Sequence, residues 1–158
     1  MTRLMSRPVL VALALVLQLA LLAVAVWPQL SARLTGTRYR LAVGPVDPID
    51  PFRGAYVMLA YPGLPAASNL RPGRVYVPLA PDGTLWKGTG IVTRRPAAPP
   101  YLSCETRGEG PLSCGIDSLF LPEDAARRTQ DELGADRAAA VVRVDAQGNA
   151  AVVAIEPR

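Results

Sequence analysis

Cys104 and Cys114, the only two cysteines of the chain, make its most definite chemical statement. They stand symmetrically about Glu109. Pairing 105 with 113, 106 with 112 and 107 with 111 closes an antiparallel ladder on Gly108-Glu109-Gly110, whose glycines suit the left-handed bulge of such loops. Opposed residues in a non-hydrogen-bonded pair have Cα atoms about 4.5 Å apart, within disulfide reach. The pattern points to a structural disulfide in an oxidising compartment. Free thiols, redox use and metal binding are the other readings. A redox pair more often takes the C-x-x-C spacing, and a two-thiol metal site lacks further ligands in a chain without histidine.

The missing histidine also removes Ser–His and Cys–His nucleophile pairs. A Ser–Lys dyad survives, as in an envelope hydrolase of signal-peptidase type, with Lys87 the sole lysine. Lys87 lies beside the Asp82-Gly83 turn, however, and reads as an exposed hairpin lysine; no serine has a spacing that singles it out. No catalytic residue, cofactor or metal is therefore assigned. Asp47 and Asp50 are each followed closely by proline. They either form a small acidic rim for a cationic ligand or, as Asp-Pro pairs usually do, initiate turns through local hydrogen bonds. A calcium site would need more oxygen ligands than these two supply. Together with Arg53, Tyr56 and Tyr61 they make up the candidate ligand-binding or partner-binding set. The bland reading of the tyrosines is core aromatics with hydroxyls at the rim.

The elements that must position these groups read mainly as β. Short apolar runs punctuated by Pro and Gly predict strands over Tyr39–Val43, Tyr56–Tyr61, Arg74–Leu79, Gly90–Thr93, Tyr101–Glu105, Leu112–Phe120, Ala139–Val144 and Ala150–Ile155. Eight short strands make a small sandwich or partly open barrel. Period-2 alternation over residues 55–61 puts apolar side chains on both faces, as in a central strand. Pro81-Asp82-Gly83 and Asp145-Ala146-Gln147-Gly148 are tight turns, the second closing a final hairpin. One covering helix is expected over Pro122–Leu133, with Glu123 and Asp124 at its positive end and Gly134 as its stop.

Ahead of this domain, Pro8–Trp27 is an apolar run whose one strongly polar member is Gln18. As a helix it spans about 30 Å, the thickness of bilayer hydrocarbon. We divide the chain into residues 1–7 as a cytoplasmic N-terminus, 8–27 as a transmembrane anchor, 28–37 as a polar linker and 38–158 as an exported β domain. A cleaved signal peptide is the rival, since Arg3 and Arg7 form an n-region and Ala23-Val24-Ala25 resembles a cleavage site. Arginines flank the run on both sides, so charge alone does not orient it; the cysteine pair puts the domain on the oxidising side. Residues 28–158 carry 15 basic and 13 acidic groups, scattered along the chain. That excludes a nucleic-acid footprint.

The order Asp47-Pro48, Arg53-Gly54-Ala55-Tyr56 and Leu59-Ala60-Tyr61 resembles the signature of the bacterial membrane-anchored GDYXXLXY family. Ala55 stands where that motif has aspartate. Gly115–Glu123 is similar to the family's strand-into-helix passage, and Val142-Arg143-Val144-Asp145-Ala146-Gln147-Gly148 to its closing V-x-V-D-x-x-G hairpin. The cysteine segment is an addition to the pattern. The resemblance implies a single-pass inner-membrane protein with an extracytoplasmic β domain, and it carries no biochemical activity. The function expected is non-enzymatic binding or scaffolding of an envelope component, a multi-pass membrane protein being one such partner.

Overall fold

The computed structural model describes residues 7–45, 56–120 and 138–158. It is mainly β, with eight strands in one curled, half-barrel sheet and a long apolar helix at the N-terminus. The helix, α1, runs from Arg7 to Thr35. No charged residue lies between Arg7 and Arg33, and the run is long and apolar enough to cross a membrane. Residues 28–35, expected as part of a connector, are helical here, and Pro28 sits inside the helix. Proline removes one backbone hydrogen bond at that point. The turns beyond it are held by contacts to the sheet rather than by propensity alone.

The strands are β1 (Thr37–Pro45), β2 (Tyr56–Ala60), β3 (Gly73–Asp82), β4 (Leu85–Gly88), β5 (Tyr101–Thr106), β6 (Ser118–Phe120), β7 (Ala138–Val144) and β8 (Ala150–Pro157). They are ordered β5-β3-β4-β1-β2-β6, with β7 paired to β1 and β8 to β7. β1 is the hub. Its residues 37–43 pair antiparallel with β7, Leu41 also meets Trp86 of β4 in parallel, and Gly44 meets Ala60 of β2. β2 has β1 on one side and β6 on the other, so it is an inner strand of the sheet.

Inside the curl, Leu41, Val43, Val75, Val77, Leu79, Leu102, Ile116, Ala140 and Val142 form one core. In β3 the alternation is regular, with Val75, Val77 and Leu79 inward and their neighbours half-exposed. Tyr39 packs edge-on against Trp86 at 4.9 Å between ring centroids, joining β1 to β4.

Two strand expectations need correction. Gly90–Thr93 forms no strand; Val92 makes a single bridge to Tyr76, and the strand that follows β3 in the chain and pairs with it is Leu85–Gly88, reached through Gly83 at φ 65°. Leu112–Phe120 is a strand only at Ser118–Phe120. Gly115, at φ 73°, breaks the run, a conformation that ends regular pairing. The helix expected over Pro122–Leu133 lies outside the described residues.

Candidate functional site

The cysteines form the disulfide that their spacing predicts. Cys104 and Cys114 are bonded, with Cα atoms 4.1 Å apart. Beside them Glu105 and Ser113 exchange both backbone hydrogen bonds, at 2.8 and 2.9 Å. The ladder then departs from expectation. Gly110 pairs with Ala67, and the Gly108 carbonyl accepts from Leu70, so the loop folds onto residues 67–70 instead of closing on itself. Val75 of β3 lies opposite Cys104 on the other side of β5, and both cysteines are buried. The bridge is thus a core staple, shielded from exchange with thiols.

Of the candidate ligand set, Asp47, Asp50 and Arg53 lie outside the described residues, as do Gly54 and Ala55 of the signature. Tyr56 stands opposite Phe120 in the β2–β6 ladder. Tyr61, one residue past β2, is half-buried, and its hydroxyl donates to the Ile116 carbonyl at 2.8 Å. Burial, and secondarily the Asp117 carboxylate, push its phenol well above the ordinary tyrosine range. It is therefore a neutral donor over the physiological range. Ile116 is two residues beyond Cys114, and the Asp117 carbonyl accepts from the Leu59 amide at 3.0 Å. The structure so brings Tyr61 and the disulfide onto one short segment, residues 114–117.

Lys87 lies on β4 with Nζ 3.2 Å from Asp82 Oδ1, across the hairpin, and both side chains are more than half exposed. Two serines, Ser31 and Ser113, donate to aspartates, Asp145 and Asp117. The Ser–Lys reading has no support in this arrangement. Among the described residues, no group of three or more His, Cys, Asp or Glu side chains is placed to hold a metal ion.

The most developed polar constellation was not singled out from sequence. Asp145 opens the β7–β8 turn and is only 2 % exposed. Its Oδ2 accepts from Ser31 Oγ of α1 at 2.6 Å and from Asn149 Nδ2 at 2.8 Å, and its Oδ1 from the amides of Gln147 and Asn149, each at 2.9 Å. Burial alone would raise its pKa. The hydrogen bonds from Ser31 and Asn149 and the two amides outweigh burial and hold the carboxyl below its ordinary range. Arg143 of β7 closes the other side. Its guanidinium donates to the carbonyls of Arg33, Leu34 (3.3 Å) and Gly36 (2.9 Å), satisfying groups that a helix C-terminus leaves open. Gln29 Nε2 donates to the Gly115 carbonyl at 2.9 Å. Gly36 carries the chain past β7 with no room to spare: a Cβ there would lie 2.4 Å from the Ala32 carbonyl oxygen and 2.9 Å from the Val144 nitrogen.

The same turn is fixed from β5. Ser103 N donates to the Gly148 carbonyl at 2.8 Å. Tyr101 Oη donates to the Ala146 carbonyl at 2.9 Å, and Arg95 donates to that carbonyl at 3.0 Å. Residues 145–149 therefore link the apolar helix to the strand that carries Cys104. The sequence signal was the closing V-x-V-D-x-x-G pattern, whose aspartate is Asp145; its partner is 114 positions away.

A curled half-barrel fixed to an apolar N-terminal helix through a buried aspartate is the class of architecture that these observations define. The chain belongs to the GDYXXLXY protein family, whose match extends over residues 18–155. No curated protein and no solved structure matches it.

Proposed function

We propose that the protein is a membrane-tethered, non-enzymatic β domain that binds or scaffolds an envelope component, with α1 as an uncleaved anchor and the domain on the extracytoplasmic side. The observation that carries this reading is the junction. A single residue, Gly36, separates α1 from β1, and Ser31, Asp145 and Arg143 lock the two together. A domain held in fixed orientation at a bilayer suits presentation of a surface to a neighbour. The buried disulfide supports the oxidising side. The surface around Tyr56 and Tyr61 is where we place partner binding, together with Asp47, Asp50 and Arg53 of the lead-in.

Photo-crosslinkers at Pro62 and Ser118, both exposed and flanking β2, test this in native membranes. Capture of a discrete envelope protein is expected; no capture from either position would end the partner reading. A phosphatase reporter that matures only under oxidising conditions, fused after Arg158, should be active if the domain is exported. Lys87→Ala should leave any knockout phenotype fully complemented, whereas loss of complementation would revive the hydrolase alternative.

A further inference from the structure

The apolar surface of α1 continues past the length that bilayer hydrocarbon needs. Twenty residues from Pro8 reach Trp27, about 30 Å. Trp27, Leu30 and Leu34 are nevertheless 65 %, 42 % and 67 % exposed, at i, i+3 and i+7 of the same helix. That spacing makes one stripe. Ala32, fully buried, and Gln29, which bonds to the Gly115 carbonyl, lie on the opposite face, and Ser31 bonds to Asp145 from the flank between the two. The last two turns of α1 thus have one side docked on protein and the other side apolar and open. From Pro8 to Leu34 the helix measures about 40 Å, matching a bilayer with its headgroup layers rather than its hydrocarbon alone.

Two exposed cations lie close to the end of the stripe in sequence. Arg33 is exposed in the last turn, and Arg38 is exposed two residues after Gly36. Neither guanidinium forms an ion pair among the described residues, whereas Arg40 is engaged by Glu156 and the Pro157 carbonyl, and Arg143 by the helix end. We propose that Trp27, Leu30 and Leu34 lie in the interfacial layer of the bilayer and that Arg33 and Arg38 engage anionic lipid headgroups, so that the β domain rests directly on the membrane. This rests on the anchor reading above. The stripe is continuous with the membrane span, indole rings favour the interface, and guanidinium groups pair bidentately with phosphate. Those features fit lipid better than a water-facing protein groove.

Tryptophan fluorescence of the full chain, reconstituted in phosphatidylcholine vesicles with brominated lipids, tests it. Trp86→Phe leaves Trp27 as the sole reporter, and Trp27→Phe with Trp86→Phe and Leu34→Trp moves the reporter to position 34. Because Trp86 packs on Tyr39, a parallel series keeps Trp86 and reads the difference that Leu34→Trp makes. The reporter at 34 should be quenched most by bromines placed shallow in the acyl chain. At low mole fraction of anionic lipid, brominated phosphatidylglycerol should be enriched about fivefold per arginine around it, and Arg33→Gln with Arg38→Gln should erase that excess over brominated phosphatidylcholine. A reporter at 34 that no brominated lipid quenches, while Trp27 is quenched, overturns the proposal. So does equal quenching by the two headgroups, or shielding from both lipid and aqueous iodide, which would mean that protein covers the stripe. If Trp27 itself escapes lipid quenching, the anchor reading fails instead.

Discussion

Ser31 donates a 2.6 Å hydrogen bond to the buried carboxylate of Asp145, joining the apolar helix to the β7–β8 turn. The carboxylate has a lowered pKa in the folded chain, so its stabilising contribution is present above the unfolded value of about 3.9 and is lost as pH falls through the folded one. Detergent-solubilised protein should lose thermal stability below about pH 4, and Asp145→Asn should flatten that part of the profile. Asp145→Ala leaves a half-buried hydroxyl, a side-chain amide and two backbone amides without their acceptor and should cost about 2–4 kcal/mol. A melting temperature within a degree of the parent would show that the junction does not depend on this group.

Gly36→Ala tests how closely α1 approaches β7. The new methyl would meet backbone atoms on both sides, the Ala32 carbonyl oxygen and the Val144 nitrogen, neither of which can rotate away. We expect a loss of about 1–3 kcal/mol. Increased proteolysis between α1 and β1 should accompany it, since separating the helix from the sheet is the direct way to relieve the clash. Wild-type stability together with wild-type protease resistance would contradict the tight junction.

The Cys104–Cys114 bridge should account for about 2–4 kcal/mol, so Cys104→Ser with Cys114→Ser should lower the unfolding midpoint correspondingly. The loop it closes is also tied to Ala67 and Leu70. Ordering of residues 108–110 should therefore survive reduction in part, as read by amide exchange at Gly110, whose N–H bonds to the Ala67 carbonyl. Intact mass without reductant, compared with reductant, gives the oxidation state directly and also reports whether the N-terminal residues are retained.

Tyr61→Phe deletes the hydroxyl that donates to the Ile116 carbonyl. A cost of about 0.5–1.5 kcal/mol is expected, with crosslinking from Pro62 unchanged. Loss of crosslinking at unchanged stability would instead make the hydroxyl a partner-binding group.

Regular β content and the disulfide were legible because both rest on local chemistry. Alternating Val75, Val77 and Leu79 state their own burial, and the symmetry of 104 and 114 about Glu109 states the first step of the ladder. What failed were runs interrupted by glycine. Gly115 ends a stretch whose apolar residues suggest a longer strand, while Leu85–Gly88 carries no strand signal because it has no β-branched residue and is held by its hairpin to β3. Pro28 suggested a helix end because local cost is visible in sequence, whereas the compensating contacts of Gln29, Ser31 and Ala32 are not. The Ser31–Asp145 bond joins residues too distant for any pattern to link. Of the candidate site, the sequence named Tyr61 but not its carbonyl partner, since a backbone acceptor leaves no trace in residue type.

The absence of a spacer between α1 and β1 sets a working distance. A domain of about 120 residues is about 35 Å across by the usual size scaling, and with Gly36 alone between α1 and β1 the sheet is held at the helix end without a stalk. In a membrane, its reach is its own width. On the proposed reading, a partner would meet it within about 35 Å of the lipid surface, which favours the exposed loops of membrane proteins over components deeper in the envelope. Turning α1 about its axis would swing the whole sheet by the same angle, so a neighbour that grips the helix inside the bilayer would also aim the domain outside it.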